Sequence, residues 1–282
     1  MNIILGKTAG FCFGVRNAVT KAQEAIKNNE KISCLGELVH NTQVTEKLKK
    51  DGIKFIDNIE EAEETVIIRS HGAEKEVYEK AEELGIKLID LTCPKVLRIH
   101  NIVQKYVNEG YFIIITGKKA HPEMVSTLSF CPNSYFCIES EDDISKAINE
   151  YRKSKKNKVL LISQTTYSLE KFNKIAKELK KYLEKMEIIN TICNATKERQ
   201  EETEMLAKHA DYMIIIGGKH SSNSNKLYDI ARKYCKHTQF IETAEELEID
   251  SIMLASEIGV MAGASTPEES IKDVIEKLTK LW

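Results

Sequence analysis

Cys12, Cys93 and Cys193 each open a copy of one sequence unit, and each copy carries a polar side chain 28 residues later, at His40, His121 and Ser221. A glycine stands four residues before each of those positions, as Gly36, Gly117 and Gly217. A fixed repeat constrains a fold more tightly than composition does, because every copy has to be the same kind of supersecondary unit. The chain therefore reads as three related units, each bringing one thiol and a group of His, Ser, Thr and Asn side chains to a common centre.

Inside each unit, apolar runs of strand length alternate with amphipathic helical stretches. In the first unit the predicted strands are Ile32 to Leu35, Lys54 to Asp57, Val66 to Ile68 and Leu88 to Leu91. Helices are expected from Cys12 through Ile26, through Val44 and Leu48, as an acidic segment from about Glu60, and from Val77 to Leu84. The second unit repeats the order with Tyr111 to Ile115, Tyr135 to Ile138, Val159 to Ile162 and Ile188 to Ile189. The third has Tyr212 to Ile216, Gln239 to Glu242 and Val260 to Ala262, then a helix from Glu268 to Leu281, and lacks a last strand. Asn2 to Leu5 is an apolar strand leading into Cys12, so the two chain ends are expected to share one domain. Strands alternating with long helices imply an α/β fold with mostly parallel sheets, and ligands of such sheets bind beyond the carboxyl ends of the strands. The expected domains are 14–95, 96–191, and 192–282 together with 1–13.

All the polar candidates follow strands. A second set comes after the third strand of each unit: His71, Thr165 and Ser265. Thr165 and Ser265 share an offset of 72 from their cysteines, while His71 lies at 59, which points to a shorter preceding loop.

Charge is nearly balanced, with 41 basic and 43 acidic residues, and the basic run Arg152 to Lys156 reads as a solvated helix end, so no nucleic-acid partner is expected. Apolar runs fall well short of the roughly 20 residues of a spanning helix, so no membrane partner is expected either. The amino terminus, Met-Asn-Ile-Ile-Leu-Gly-Lys, has no signal-peptide pattern. Seven cysteines without an export signal point to a reducing cytoplasm, with thiols free for metal or catalysis.

Three thiolates on a pseudo-threefold axis suit three irons of a 4Fe-4S cluster, leaving the fourth iron without a protein ligand. Zinc competes for such donors, but three-thiolate zinc sites usually show paired Cys-x-x-Cys spacing, which the chain lacks. A third alternative is that the thiols only pack, the reading given to Cys34, Cys131, Cys137 and Cys235. His40, His71, His121, Ser221, Ser222, Asn223 and Ser265 offer neutral and switchable donors, several of them before helices, and such a lining suits a phosphate or diphosphate. Glu123, in His121-Pro122-Glu123, is the lone carboxylate of its loop. Close to a reduced cluster and an anionic substrate its pKa should rise, which suits proton delivery. His100, His209 and His237 match no repeated position and are read as surface or helix residues.

Eight ordered motifs then carry a resemblance. They are Gly10-Phe11-Cys12-Phe13-Gly14-Val15, Val39-His40-Asn41, Ser70-His71-Gly72, Thr92-Cys93-Pro94, His121-Pro122-Glu123, Ser163-Gln164-Thr165-Thr166, Ser221-Ser222-Asn223-Ser224-Asn225 and Gly263-Ala264-Ser265. Across essentially the whole chain they resemble the 4-hydroxy-3-methylbut-2-enyl diphosphate reductase family, which acts last in the methylerythritol phosphate route to isoprenoids. The resemblance implies a trefoil of three pseudo-equivalent domains around a central 4Fe-4S cluster held by Cys12, Cys93 and Cys193. It implies a diphosphate bound by His40, His71, His121, Ser221, Ser222, Asn223 and Ser265, with Gln164 and Asn225 nearby. It also implies that Glu123, with Thr165 and His121, serves the protonation that accompanies a two-electron, two-proton removal of the substrate's hydroxyl. Electrons would come from reduced ferredoxin or flavodoxin, because the chain shows no nucleotide fingerprint. A dehydrating enzyme resembling quinolinate synthase and an iron-sulfur redox sensor are the competing expectations.

Overall fold

A computed structural model of the chain describes residues 2–28 and 31–281. Met1 and Trp282, expected in the third repeat, and Asn29 and Glu30, expected in the first, lie outside the described residues. The chain starts with β1 (Asn2–Leu5) and α1 (Phe13–Asn28). The first repeat continues through β2 (Ile32–Leu35), α2 (Thr42–Lys50), β3 (Lys54–Ile56), β4 (Thr65–Ile68), α3 (Lys75–Leu84) and β5 (Lys87–Asp90). The second contains α4 (Pro94–Asn108), β6 (Phe112–Thr116), α5 (Pro122–Ser129), β7 (Tyr135–Ile138), α6 (Ile144–Lys153), β8 (Val159–Ser163), α7 (Leu169–Lys180) and β9 (Met186–Ile188). The third contains α8 (Asn194–Ala207), β10 (Tyr212–Ile216), α9 (Ser222–Tyr234), β11 (Thr238–Ile241), α10 (Ile249–Ile252), β12 (Glu257–Ala262) and α11 (Glu268–Thr279).

The strands form three four-stranded sheets, ordered β3-β2-β4-β5, β7-β6-β8-β9 and β1-β12-β10-β11, and every pairing is parallel. β1 pairs with β12, Asn2 opposite Glu257 through Leu5 opposite Val260, so the amino-terminal strand occupies the place that β5 and β9 fill in the other sheets. The chain divides into two compact units: Met1–Asn17, Val39–Leu48 and Asn194–Trp282 in one, Ala18–Leu38 and Lys49–Cys193 in the other. The first unit holds the sheet containing β1, and the second holds the other two.

Alternate side chains of each central strand enter different cores, which is why these runs are apolar throughout rather than at every second position. Phe112 and Ile114 of β6 pack with Val159, Leu161, Phe172 and Ile175, whereas Ile113 and Ile115 pack with Ile99, Val103, Met124 and Leu160. β10 divides in the same way: Tyr212, Ile214 and Ile216 meet Val260, Val274 and Leu278, while Met213 and Ile215 meet Leu227, Ala231 and Met261.

One expected element differs. The acidic helix from about Glu60 is a single 3-10 turn, Ile59–Glu61, capped reciprocally by Asn58 and Glu61. Only eight residues separate the ends of β3 and β4, too few for a full crossover helix. The second repeat has α6 at that place, and its absence from the first accounts for the short offset of His71. Among the described residues no helix is long and apolar enough to cross a membrane.

Candidate active site

Beyond the strands the three repeats share one backbone pattern. Gly36, Gly117 and Gly217 donate their N–H groups to Ile56, Ile138 and Ile241 carbonyls at 2.8, 3.1 and 2.9 Å. Cys93, Cys193 and Cys12 donate theirs to the carbonyls of Ser70, Thr165 and Ala264 at 3.0, 3.0 and 3.1 Å. Each cysteine is thus tied to the loop after the third strand of its own sheet. Strand register pairs Leu35 with Ile68, Thr116 with Ser163 and Ile216 with Ala262. Counting onward, Ser70, Thr165 and Ala264 are equivalent, and so are His71, Thr166 and Ser265. The shared offset of 72 that aligns Thr165 with Ser265 is therefore one residue out of register, because the chain from β10 to its partner position on β12 is one residue shorter than the chain from β6 to β8.

In the second unit, α5 is the centre of a polar site. His121 is its N-cap, Pro122 holds its first position, and His121 Nδ1 accepts a hydrogen bond from Glu123 N at 3.1 Å. That bond fixes the neutral tautomer with its proton on Nε2. The His71 and His121 rings meet edge to face, with centroids 5.4 Å apart. Glu123 is 2 % exposed. Its carboxyl accepts from Thr165 N at Oε1 and from Thr165 Oγ1 at Oε2, both at 2.6 Å. Burial pushes the Glu123 pKa up to about 7, against the two Thr165 hydrogen bonds, which favour the charged form. The rise follows from desolvation within the protein alone, with no need for a neighbouring anion.

A second polar knot holds the His71 loop. Ser126, one turn after Glu123 on α5, donates from Oγ to the Ala73 carbonyl at 3.0 Å and lies 3.0 Å from His100 Nε2. With the hydroxyl proton directed to Ala73, Nε2–H of His100 is the donor of the second bond. Gly72 has a φ of +80°, and a Cβ there would lie 2.6 Å from Ser126 Oγ and 2.9 Å from His100 Cε1. His100 is thus a buried bracket between α4 and the His71 loop, not a surface histidine. The sequence held a signal for this, since His100 shares the buried stripe of α4 with Val96, Ile99 and Val103.

In the first unit, Ser221 caps α9, its Oγ accepting from Ser224 N at 3.3 Å. Asn223 is 4 % exposed, and neither its Oδ1 nor its Nδ2 has a hydrogen-bond partner among the described residues. A buried amide left open in this way costs about 1–3 kcal/mol, so its place at the start of a 13-residue helix points to a missing ligand. Ser222 is buried beside it in the same turn. Ser265 donates from Oγ to the His40 carbonyl at 3.0 Å. The His40 backbone presses on Gly218, where a Cβ would lie 2.8 Å from that carbonyl oxygen.

Two further expected substrate contacts also hold their own loops. Gln164 accepts from Lys118 N at 3.1 Å and donates to Thr166 Oγ1 at 3.0 Å. Asn225 donates from Nδ2 to the Lys219 and Ser221 carbonyls at 2.6 and 2.9 Å. Both amides brace loops that carry other candidates.

The cysteines separate into two kinds. Burial pushes the Cys34, Cys131 and Cys137 thiols up to about 12 and raises that of Cys235, so these four stay protonated. Cys12, Cys93 and Cys193 are part-exposed and stand directly before α1, α4 and α8. Cys12 Sγ accepts from Val15 N at 3.4 Å, a bond from the first turn of α1.

Residues 3–279 match the LytB protein family. The chain belongs to that family. Among its LytB relatives, the protein of Aquifex aeolicus is 40 % identical over all of this chain and 97 % of its own length. That of Caldanaerobacter subterraneus subsp. tengcongensis is 39 % identical over all of this chain and 98 % of its own. Both are named 4-hydroxy-3-methylbut-2-enyl diphosphate reductase. A solved structure of (E)-4-hydroxy-3-methyl-but-2-enyl diphosphate reductase, the terminal enzyme of the non-mevalonate pathway, is similar at 39 % identity and a TM-score of 0.72, covering 99 % of this chain and 100 % of that one. The E-1-hydroxy-2-methyl-but-2-enyl-4-diphosphate reductase from Plasmodium falciparum is similar at 29 % identity and a TM-score of 0.92, covering 99 % of this chain and 88 % of that one.

Proposed function

We propose that this LytB chain is a 4-hydroxy-3-methylbut-2-enyl diphosphate reductase, converting its allylic alcohol substrate to isopentenyl and dimethylallyl diphosphate in a reducing cytoplasm. In balance, the alcohol takes up two electrons and two protons and gives the five-carbon diphosphate and one water. The observation that carries the reading is Glu123, a buried acid poised near neutrality and held at two points by Thr165.

The thiol set fits an iron-sulfur cluster. Cys12, Cys93 and Cys193 are the three part-exposed cysteines that precede helices, and the four others are held protonated or buried elsewhere. Those three would hold a 4Fe-4S cluster with one iron lacking a protein ligand. When bound, the cluster supplies the electrons and a Lewis-acidic iron for the substrate hydroxyl. The three repeats, 14–95, 96–191 and 192–282 with 1–13, would each contribute one ligand.

The protein's own residues do the rest. Ser222 and the open amide of Asn223 offer donors to a diphosphate at the positive end of α9, beside the Ser221 cap. The resemblance assigns the same anion to His40, His71, His121 and Ser265, while Gln164 and Asn225 shape the loops. A protonated Glu123 donates from its carboxyl O–H to Thr165 Oγ1, which frees the threonine proton to pass onward. After transfer, Thr165 N–H and Oγ1–H stabilise the carboxylate left behind. Reduced ferredoxin or flavodoxin would supply the electrons.

Glu123→Gln tests this reading, since it keeps the shape and the Thr165 N–H bond but holds no transferable acid proton. The variant should keep iron, sulfide and substrate binding and lose most of its turnover. Unchanged turnover would remove Glu123 from the reaction.

A further inference from the structure

We infer that the exposed face of α4 is where the electron donor docks, and that the partner is a small acidic electron-transfer protein. The inference rests on the reductase reading above, which requires external electrons and assigns Cys93 to the cluster.

Of the three helices that follow the proposed cluster ligands, one is acidic, one is basic with a single carboxylate, and one is basic with none. α8, after Cys193, exposes or half-exposes Glu198, Glu201, Glu202 and Glu204 against Lys197. α1, after Cys12, mixes Arg16, Lys21 and Lys27 with Glu24. α4, after Cys93, carries Lys95, Arg98 and Lys105 and not one Asp or Glu in its 15 residues, and the carboxylate of its C-cap, Glu109, lies 3.9 Å from Lys105 at the end far from Cys93. In a chain with more acidic than basic residues, a helix free of carboxylates is a marked local bias. An acidic partner approaching the cluster is repelled along α8 and drawn to α4.

The same face has the shape and apolar content of a contact. Pro94, Leu97, Arg98, Asn101, Ile102 and Lys105 line one stripe of the helix and form a groove of about 380 Å³. Leu97 is 39 % exposed, an apolar side chain beside Arg98 on that stripe. Electron-transfer encounters are small and transient, burying less than about 1,200 Å², and a few basic side chains around an apolar point suit that kind of contact. The groove starts at Pro94, directly after Cys93, so a donor seated there has its shortest covalent route to the cluster through that ligand. With a one-electron donor, two docking events serve each turnover.

The test uses reconstituted holoenzyme driven in parallel by reduced methyl viologen and by a reduced, purified acidic ferredoxin. Charge reversal at Arg98→Glu and Lys105→Glu should raise the KM for ferredoxin at least tenfold at low salt and flatten its salt dependence. The viologen-driven rate should stay within twofold of wild type, and oxidised ferredoxin should bind the variant correspondingly more weakly in a titration. Glu198→Lys with Glu201→Lys on α8 is the control, expected to leave the ferredoxin KM unchanged or lower it. An unchanged ferredoxin KM in the α4 variant, or a larger loss in the α8 variant, overturns the docking face. A wild-type protein that viologen cannot drive overturns the reductase reading itself, and the two failures are separable.

Discussion

Thr165 holds Glu123 by two hydrogen bonds of 2.6 Å, one from its backbone N–H and one from its hydroxyl, and its own carbonyl accepts the Cys193 N–H at 3.0 Å. One residue thereby links the acid to the backbone of a proposed cluster ligand. Any movement of the Cys193 loop is felt at Glu123 through a single residue.

The Glu123 carboxyl is raised from 4.5 to about 7, so it is a proton-bearing acid below that value. Turnover should fall as pH rises through about 7. The same shift bears on stability. The folded state holds the proton more tightly than the unfolded chain, so stability is full below about 4.5 and declines as pH rises through 7. The loss reaches roughly 3 kcal/mol. Glu123→Gln should therefore raise the urea midpoint at pH 8 relative to wild type and leave it unchanged at pH 4.

Removing only the Thr165 hydroxyl separates relay from support. Thr165→Val keeps the backbone bond to Glu123 but deletes the proton's next stop, and it should lower kcat by about 100-fold. Thr165→Ser should recover most of that loss. Equal rates in the valine and serine variants would show that the hydroxyl is not on the proton path.

Asn223 offers a trade between stability and binding. Its buried amide has no partner among the described residues, so Asn223→Leu should stabilise the ligand-free protein by about 1–3 kcal/mol, seen as a higher Tm. The same change should raise the KM for the diphosphate substrate. A lower Tm would mean that the amide is satisfied in solution.

His100 predicts an acid limit. Burial pushes its pKa down to about 4 from 6.5, although Asp90 pulls the other way, so the folded state holds it neutral. Its contribution is full above about 6.5 and is lost as pH falls toward 4, by roughly 3 kcal/mol. His100→Gln, which keeps a donor for Ser126, should be less acid-sensitive than wild type, measured as the difference in urea midpoint between pH 7 and pH 4.5.

The three sheets were legible because buried parallel strands are written as unbroken apolar runs, as in Met213 to Ile216, and the cysteine repeat survived because each cysteine's N–H is bonded to the same point of the loop after the third strand. The exact alignment of Thr165 was not legible. Nothing in the composition of the chain between β10 and β12 marks a one-residue difference in its length from the chain between β6 and β8, and only the strand pairing exposes it. The expected acidic helix failed for a related reason: Glu60 to Glu64 has helical composition, but the turn ends where β4 must begin. Glu123 stood out as a lone carboxylate and the resemblance joined it to Thr165, 42 residues away, but the two hydrogen bonds between them were visible only in the fold. Gln164 and Asn225 belong to motifs that read as ligand contacts, and the bonds by which they also brace their loops are invisible in the sequence.

The most direct test is anaerobic oxidation of reduced methyl viologen by the reconstituted protein on addition of 4-hydroxy-3-methylbut-2-enyl diphosphate, with iron and sulfide counted on the same sample. The account predicts about four irons per chain and substrate-dependent oxidation of two dye equivalents for each isopentenyl or dimethylallyl diphosphate formed. A full cluster with no substrate-dependent oxidation would contradict it.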